Sequence, residues 1–158
     1  MKGLTMKVEF INPFVTAAYL VLENIGCTRI ERGRLEIKTS PVAGAPVNAI
    51  IGVAGEIKGQ VIYSLDEATA IKMASAMMMG MPVTEFDELS KSAICEIGNM
   101  IIGNAAAALS NDGFNCTVTP PSLFMGNDVV VSVKDVPILV IPLHTDFGGV
   151  TMYVALTV

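Results

Sequence analysis

The sequence predicts an α+β fold: a two-layer sandwich with long helices packed on one face of a largely antiparallel sheet, built from a pseudo-two-fold duplicated unit. Three observations carry this. First, "NPFVTAAYLVLENIG" (Asn12 to Gly26) and "NMIIGNAAAALSNDG" (Asn99 to Gly113) both start at Asn, end at Gly and are largely apolar between. Second, "GQVIYSL" (Gly59 to Leu65) resembles "GVTMYVA" (Gly149 to Ala155), with Gly and Tyr in the same register. The offsets, 87 residues for the helical pair and 90 for the strand pair, are close enough to suggest one unit of helix followed by strands, used twice. Third, the strand-like runs come in hairpin-like pairs, which favours an antiparallel or mixed sheet with helices on one side.

The elements follow in chain order. A first helix covers about residues 10–24, with Pro13 in or near its first turn, where a missing N–H is tolerated. Strands fall near 33–38, 47–54 and 57–65; their Val, Ile and Tyr content fits, and Gly55 to Gly59 supplies a turn. Asp66 caps a second helix running to about residue 79, which Gly80 and Pro82 stop. Thr84 and Asp87 read as a capping box for a long third helix, about 85–110. Strands near 128–134, 137–144 and 149–157 finish the chain. Gly26 and Gly113 are placed to give both long helices a left-handed stop. At 158 residues the chain is most simply one domain, 1–158, with half-repeats at about 10–65 and 85–157.

Composition narrows the function. Apolar residues make up 52% and the mean hydropathy is +0.59, which raises the question of a membrane. A spanning helix needs about 18 or more apolar residues in a row, and no run of that kind is evident; "VPILVIPL" (Val136 to Leu143) is short and carries two prolines. The N-terminal "MKGLTMKVEF" lacks the apolar stretch of a signal peptide. The expectation is therefore a cytoplasmic protein, outside the membrane, whose apolar surplus goes into a homodimer interface. A net charge of −5 without a basic run argues against nucleic acid. Arg29, Arg32 and Arg34 alternate with Glu31 and Glu36, the pattern of a solvated strand or turn. Three scattered cysteines and one histidine, His144, make neither a disulfide framework nor a metal site. Those cysteines, and the run "MMMGM" (Met77 to Met81), read as core packing.

On a wheel of about 100° per residue, Glu85, Glu88, Ser92, Glu96, Asn99 and Gly103 fall within about 80° of one another. Phe86, Leu89, Ala93, Ile94, Ile97, Met100, Ile101, Ala105, Ala108 and Leu109 form the apolar arc. A Glu and an Asn three residues apart on an exposed face are ordinary, about 0.4 such pairs being expected by chance in a chain of this size. Glu9 and Asn12 make another. The context of Glu96 and Asn99 is less ordinary, because Ser92 and Gly103 leave the stripe low and Asn is a poor helix former. With no nearby nucleophile, base or metal set, the pair suits orienting water and meeting a cation. Phosphoryl transfer asks for little more, being mostly positioning and charge stabilisation.

The segments "DELSKSAICEIGNMIIGNAA" and "VTPPSLFMG" resemble the CheC/CheX/FliY family of chemotaxis phosphatases. That family's signature is Asp or Ser, three residues, Glu, two residues, Asn, then a Pro some twenty residues on; here it falls on Ser92, Glu96, Asn99 and Pro120–Pro121. The resemblance implies hydrolysis of the aspartyl phosphate of a CheY-like response regulator. Asn99 would orient the attacking water and Glu96 would pair with the receiver's active-site Lys. It also implies no cofactor on this chain, Mg²⁺ in the partner receiver, and a homodimer, with room for a regulatory adapter. Ser92, Glu88 and Gly103 would meet the partner. A proline after Asn12 disfavours helical geometry there, so Glu9 and Asn12 are expected to be a degenerate counterpart. The alternatives are a receiver-binding module of a flagellar switch that hydrolyses nothing, and a small-molecule pocket lined by methionines.

Overall fold

A computed structural model describes residues 8–39 and 41–158. The absence of a signal-peptide pattern was read mainly from residues outside this range. Helix α1 runs Val8–Asn24, α2 Glu67–Met77 and α3 Glu88–Asn111. Between α1 and α2 lie strands β1 (Ile30–Arg32), β2 (Glu36–Lys38), β3 (Val42–Ala43), β4 (Val47–Gly55) and β5 (Lys58–Leu65). After α3 come β6 (Cys116–Val118), β7 (Ser122–Met125), β8 (Val130–Val131), β9 (Ile138–Thr145) and β10 (Gly148–Thr157). One 8-stranded antiparallel sheet has the order β1-β9-β10-β5-β4-β6, with β2 also on β9 and β7 also on β4.

The duplication is visible in this topology. Each unit is a long helix, two short edge strands and a long hairpin, and β5 meets β10 at the centre from Val150↔Leu65 to Thr157↔Lys58. Both long helices also stop in the same way. In α1 the Gly26 amide donates to Glu23 and the Cys27 amide to Leu22; in α3 Gly113 donates to Ser110 and Phe114 to Leu109. That is the Schellman pattern, and Gly26 (φ 106°) and Gly113 (φ 92°) supply its left-handed residue.

Alternation with period two gives the sheet an inner apolar face. Val47, Ala49, Ile51 and Val53 of β4, Val61, Tyr63 and Leu65 of β5, and Met152, Val154 and Leu156 of β10 pack under the helices. Phe14, Val21 and Leu22 of α1 and Ile94, Ile97, Ile101 and Leu109 of α3 close the core from above. The outer face is not bare, which qualifies the simple two-layer picture. Ile62, Ile138, Tyr153 and Ala155 are buried there with Val42 and Val131, because β3 and β8 form a two-stranded ribbon across it. The Tyr153 hydroxyl donates to the Ala43 carbonyl at 3.1 Å and pins that ribbon.

Several expectations are corrected. Pro13 lies inside α1, beyond the first turn. Glu9 and Asn12 are both helical, so the backbone objection to that pair does not hold. The third helix begins at Glu88 with Asp87 as its cap, not at about 85 after Thr84, which leaves Glu85 off the stripe. Leu89, assigned to the apolar arc, is exposed. The run Met77 to Met81 is core packing only at its start: Met77, which ends α2, is half-buried against the core, whereas Met79 and Met81 are exposed at 96% and 55%. Of the cysteines, Cys27 is buried while Cys95 and Cys116 are half-buried. Finally, α3 is long and apolar enough to cross a membrane by length and mean hydropathy. It nevertheless packs against the core through Ile94, Ile97, Ile101 and Leu109, and its opposite face is polar.

Asp146, in the turn between β9 and β10, ties the segment after α1 to the sheet. Its carboxylate accepts from the Thr28 hydroxyl (2.7 Å), the Thr28 amide (2.9 Å), the Arg29 amide (2.6 Å) and the Cys27 thiol (3.4 Å). The Thr28 hydroxyl first, then these other donors, hold the carboxyl well below the usual carboxylate range. A depressed folded-state pKa stabilises the fold above the unfolded value, about 3.9, and that contribution is lost as pH falls toward the folded value. Asp146→Asn is therefore expected to lower the thermal midpoint near neutral pH. The gap to the parent protein should narrow in melts taken below about pH 4; a gap that stays constant with pH would assign the effect to something other than the charge.

Candidate functional site

The site is a ridge and a wall. The ridge is α3, whose start is fixed by Asp87: its carboxylate accepts from the Ser90 amide at 2.9 Å and the Ser90 hydroxyl at 2.8 Å. Those bonds hold the Asp87 carboxyl below its ordinary pKa, so the cap stays charged at the positive end of the helix. From that start, Glu88, Ser92, Glu96, Asn99 and Gly103 all come out exposed along one line, as the helical period predicts. Space at Gly103 is open, with no atom within 4 Å of where a Cβ would stand.

Glu96 and Asn99 are adjacent across one turn, and among the described residues neither side chain is held by a hydrogen bond or ion pair. The neighbours behave differently. Asn104 spends its amide on its own helix, donating to the Met100 carbonyl at 2.8 Å. Lys91 pairs with Glu88 at 3.1 Å, a surface contact that contributes at most about 1 kcal/mol. The fold therefore has no use for the two side chains that the sequence singled out.

The wall is β7, which sequence reasoning missed. The double proline Pro120–Pro121 hides the strand, and its pairing partner β4 is more than sixty residues away in sequence. The short apolar run Leu123 to Met125 was the only available local signal. Leu123 and Met125 of β7 face Glu88, Lys91, Ser92, Cys95, Glu96 and Asn99 across an open groove of ≈ 520 Å³. β7 is held on its far side by β4, with Ala49↔Leu123 and Val47↔Met125 in register. The half-buried Pro121 leads into it and rests against Gly98 of α3.

Other sequence candidates lie elsewhere. Asn12 is exposed on α1 and lines a separate groove with Thr16, Ala108 and Asp112, near the opposite end of α3. His144 is exposed on β9, its Nε2 close to Gly33. Among the described residues no three of His, Cys, Asp and Glu come together as a metal-binding group. A groove of this kind, polar on the ridge and apolar on the wall, can receive another protein and present an amide and a carboxylate to it.

Comparison with known proteins shows the family. The chain matches the family described as "Chemotaxis phosphatase CheX" over residues 47–144. It is 32% identical over 126 residues to the CheY-P phosphatase CheX of Thermotoga maritima, covering 80% of this chain and 81% of that one. Among solved structures, a chemotaxis protein CheX from Desulfovibrio desulfuricans superposes with a TM-score of 0.81 at 31% identity, covering 92% of this chain and 97% of the other. The CheX of a CheX–CheY–BeF₃–Mg²⁺ complex from Borrelia burgdorferi matches with a TM-score of 0.78 at 29% identity, covering 95% and 99%. With the family matched over most of the sheet and α3, and a relative above 30% identity along four-fifths of both chains, this chain belongs to the chemotaxis phosphatase CheX family.

Proposed function

We propose that this chain is a phosphatase that hydrolyses the aspartyl phosphate of a CheY-like response regulator, inserting the α3 ridge so that Asn99 orients the attacking water. The observation that carries the proposal is the exposed, uncommitted pair Glu96 and Asn99 facing an apolar wall. The Asn99 carboxamide has a donor and an acceptor group free, enough to hold one water by two hydrogen bonds. That water attacks phosphorus as the bond to the aspartate oxygen breaks, leaving a free carboxylate and inorganic phosphate. The Mg²⁺ that neutralises the phosphoryl oxygens comes with the receiver, as in the relative's CheX–CheY–BeF₃–Mg²⁺ complex.

Glu96 acts by position. Paired with the active-site Lys of the receiver, its carboxylate fixes how deep the ridge sits and therefore where Asn99 holds its water. Ser92 and Gly103, small and exposed, let the receiver backbone come close, and Glu88 extends the same line toward the start of the helix. This reading puts the protein in the cytoplasm, where response regulators work. The test is phosphate release from acetyl-phosphate-charged receivers of the same cell, with and without this protein. Stimulated release from at least one receiver is expected. Tight binding to a charged receiver without release would instead favour a switch-type binding module.

We also propose that the protein works as a homodimer. The motive is the apolar surplus, together with exposed apolar residues such as Ile37 on β2, at the β9 side of the sheet. Sedimentation equilibrium at micromolar concentration should give twice the chain mass; a single species at chain mass would refute it.

A further inference from the structure

Gly98 sits one residue before Asn99 and is buried in the middle of α3, where glycine costs a helix about 1 kcal/mol relative to alanine. The backbone does not require it, since Gly98 is not among the positive-φ residues. The neighbour does. A Cβ at Gly98 would stand 2.9 Å from Cγ of Pro121, closer than carbon atoms pack, and 3.4 Å from its Cβ, the near edge of ordinary contact. Those are atoms of a ring, which cannot swing aside as the end of a flexible side chain can. Pro121 is thus seated in a notch that only glycine leaves open.

The position of the notch matters more than its existence. Ser122, the next residue, begins β7, whose Leu123 and Met125 are the groove wall. On its other side β7 is fixed to β4 by the sheet ladder. The Gly98–Pro121 contact is therefore a tight point of contact between the ridge that carries Asn99 and the chain that leads into the wall. From this the geometry points to Gly98 and Pro121 as a positioning pair that sets the spacing between Asn99 and β7, and with it how deeply a receiver brings its phosphate to the amide. This rests on the assignment of Asn99 given above. It adds a requirement on two residues that touch no reacting atom.

The experiment compares the parent chain, Gly98→Ala, Pro121→Ala and the double variant in phosphate release from a receiver that the parent stimulates. Affinity for the same receiver charged with BeF₃ and Mg²⁺, and thermal midpoints, are measured alongside. Gly98→Ala is expected to lower kcat about tenfold, within the ~10²-fold that a 1 Å misplacement can cost. Affinity for the charged receiver should change by less than about threefold, since the surface that binds is retained. Gly98→Ala/Pro121→Ala, which removes the ring that the new methyl meets, should recover most of the loss. A purely structural role would lower the melting temperature without this split between turnover and binding, and without rescue. Parent-level turnover in Gly98→Ala, or a loss that the double variant does not recover, overturns the proposal. Should Gly98→Ala fail to fold, Pro121→Ala decides alone: reduced turnover with retained binding supports the pair, and unchanged turnover refutes it. A parent that stimulates no receiver would instead refute the phosphatase reading.

Discussion

Replacing Asn99 by Ala is expected to abolish nearly all stimulated dephosphorylation, a loss of about 10²-fold or more in kcat, while the folded protein is unchanged. The two halves of that expectation have separate causes. On the stability side, Asn99 is exposed and its amide has no hydrogen-bond partner among the described residues, so none of those is left unsatisfied when it goes. Alanine also favours the helix over asparagine by about 0.6 kcal/mol, so the melting temperature should hold or rise slightly. On the chemical side, a methyl group can neither donate to nor accept from water, and the in-line geometry is then left to chance. The transition state of phosphoryl transfer needs little from the protein apart from geometry and charge. Removing the geometry therefore removes most of what this chain contributes. Single-turnover phosphate release, with binding of the BeF₃-charged receiver measured in parallel, separates lost chemistry from lost docking. Parent-level release by Asn99→Ala would take this residue out of the mechanism.

The largest effect on stability is expected at Gly59, far from the groove in sequence. Gly59 lies in β5 with φ 139°, a conformation that side-chain-bearing residues rarely adopt. It is paired with Leu156 in the central β5·β10 ladder. A Cβ there would run into the backbone carbonyl oxygen of Ala155, an atom that cannot move without bending β10. Gly59→Ala combines backbone strain with this clash, and about 3 kcal/mol of destabilisation is expected from the strain and collision together. For a chain of this length that corresponds to a melting point lower by roughly 6–12 °C, and urea titration should give a lower midpoint with a similar slope. A variant with the parent's midpoint would show that the strand accommodates a side chain at that position.

Much of this architecture was legible because its signals are local. The helical period alone brought Ser92, Glu96, Asn99 and Gly103 onto one exposed line, and Gly26 and Gly113 do terminate their helices in the left-handed region. Asp66 caps α2 through the Thr69 amide at 2.7 Å, as its sequence context suggests. The misses have a common physical origin. β6 and β7 are strands of three or four residues whose existence depends on β4, distant in sequence, so no window around them contains the reason they form. The start of α3 was misread because Thr84 and Asp87 are both good caps, and Ser90 selects the second by donating twice to it. The end of the methionine run was misjudged for a different reason, since Met77 does pack on the core. Composition says what a side chain could fill, whereas the end of α2 at Met77 decides that Met79 and Met81 fill nothing. The candidate ridge was thus readable from one helix, but the wall opposite it was not, because a groove needs two elements and the second is set by long-range pairing.

The short edge strands are exchanged between the two related units. β1 and β2, which follow α1, lie on β9 of the second unit, and β6 and β7, which follow α3, lie on β4 of the first. Each unit thus reaches around and clasps its sibling, as two subunits of a domain-swapped dimer would, except that here both arms belong to one chain. Neither unit can finish its own sheet border alone. The groove inherits that mutual dependence: its ridge and its wall come from the second unit, but the strand that holds the wall upright belongs to the first.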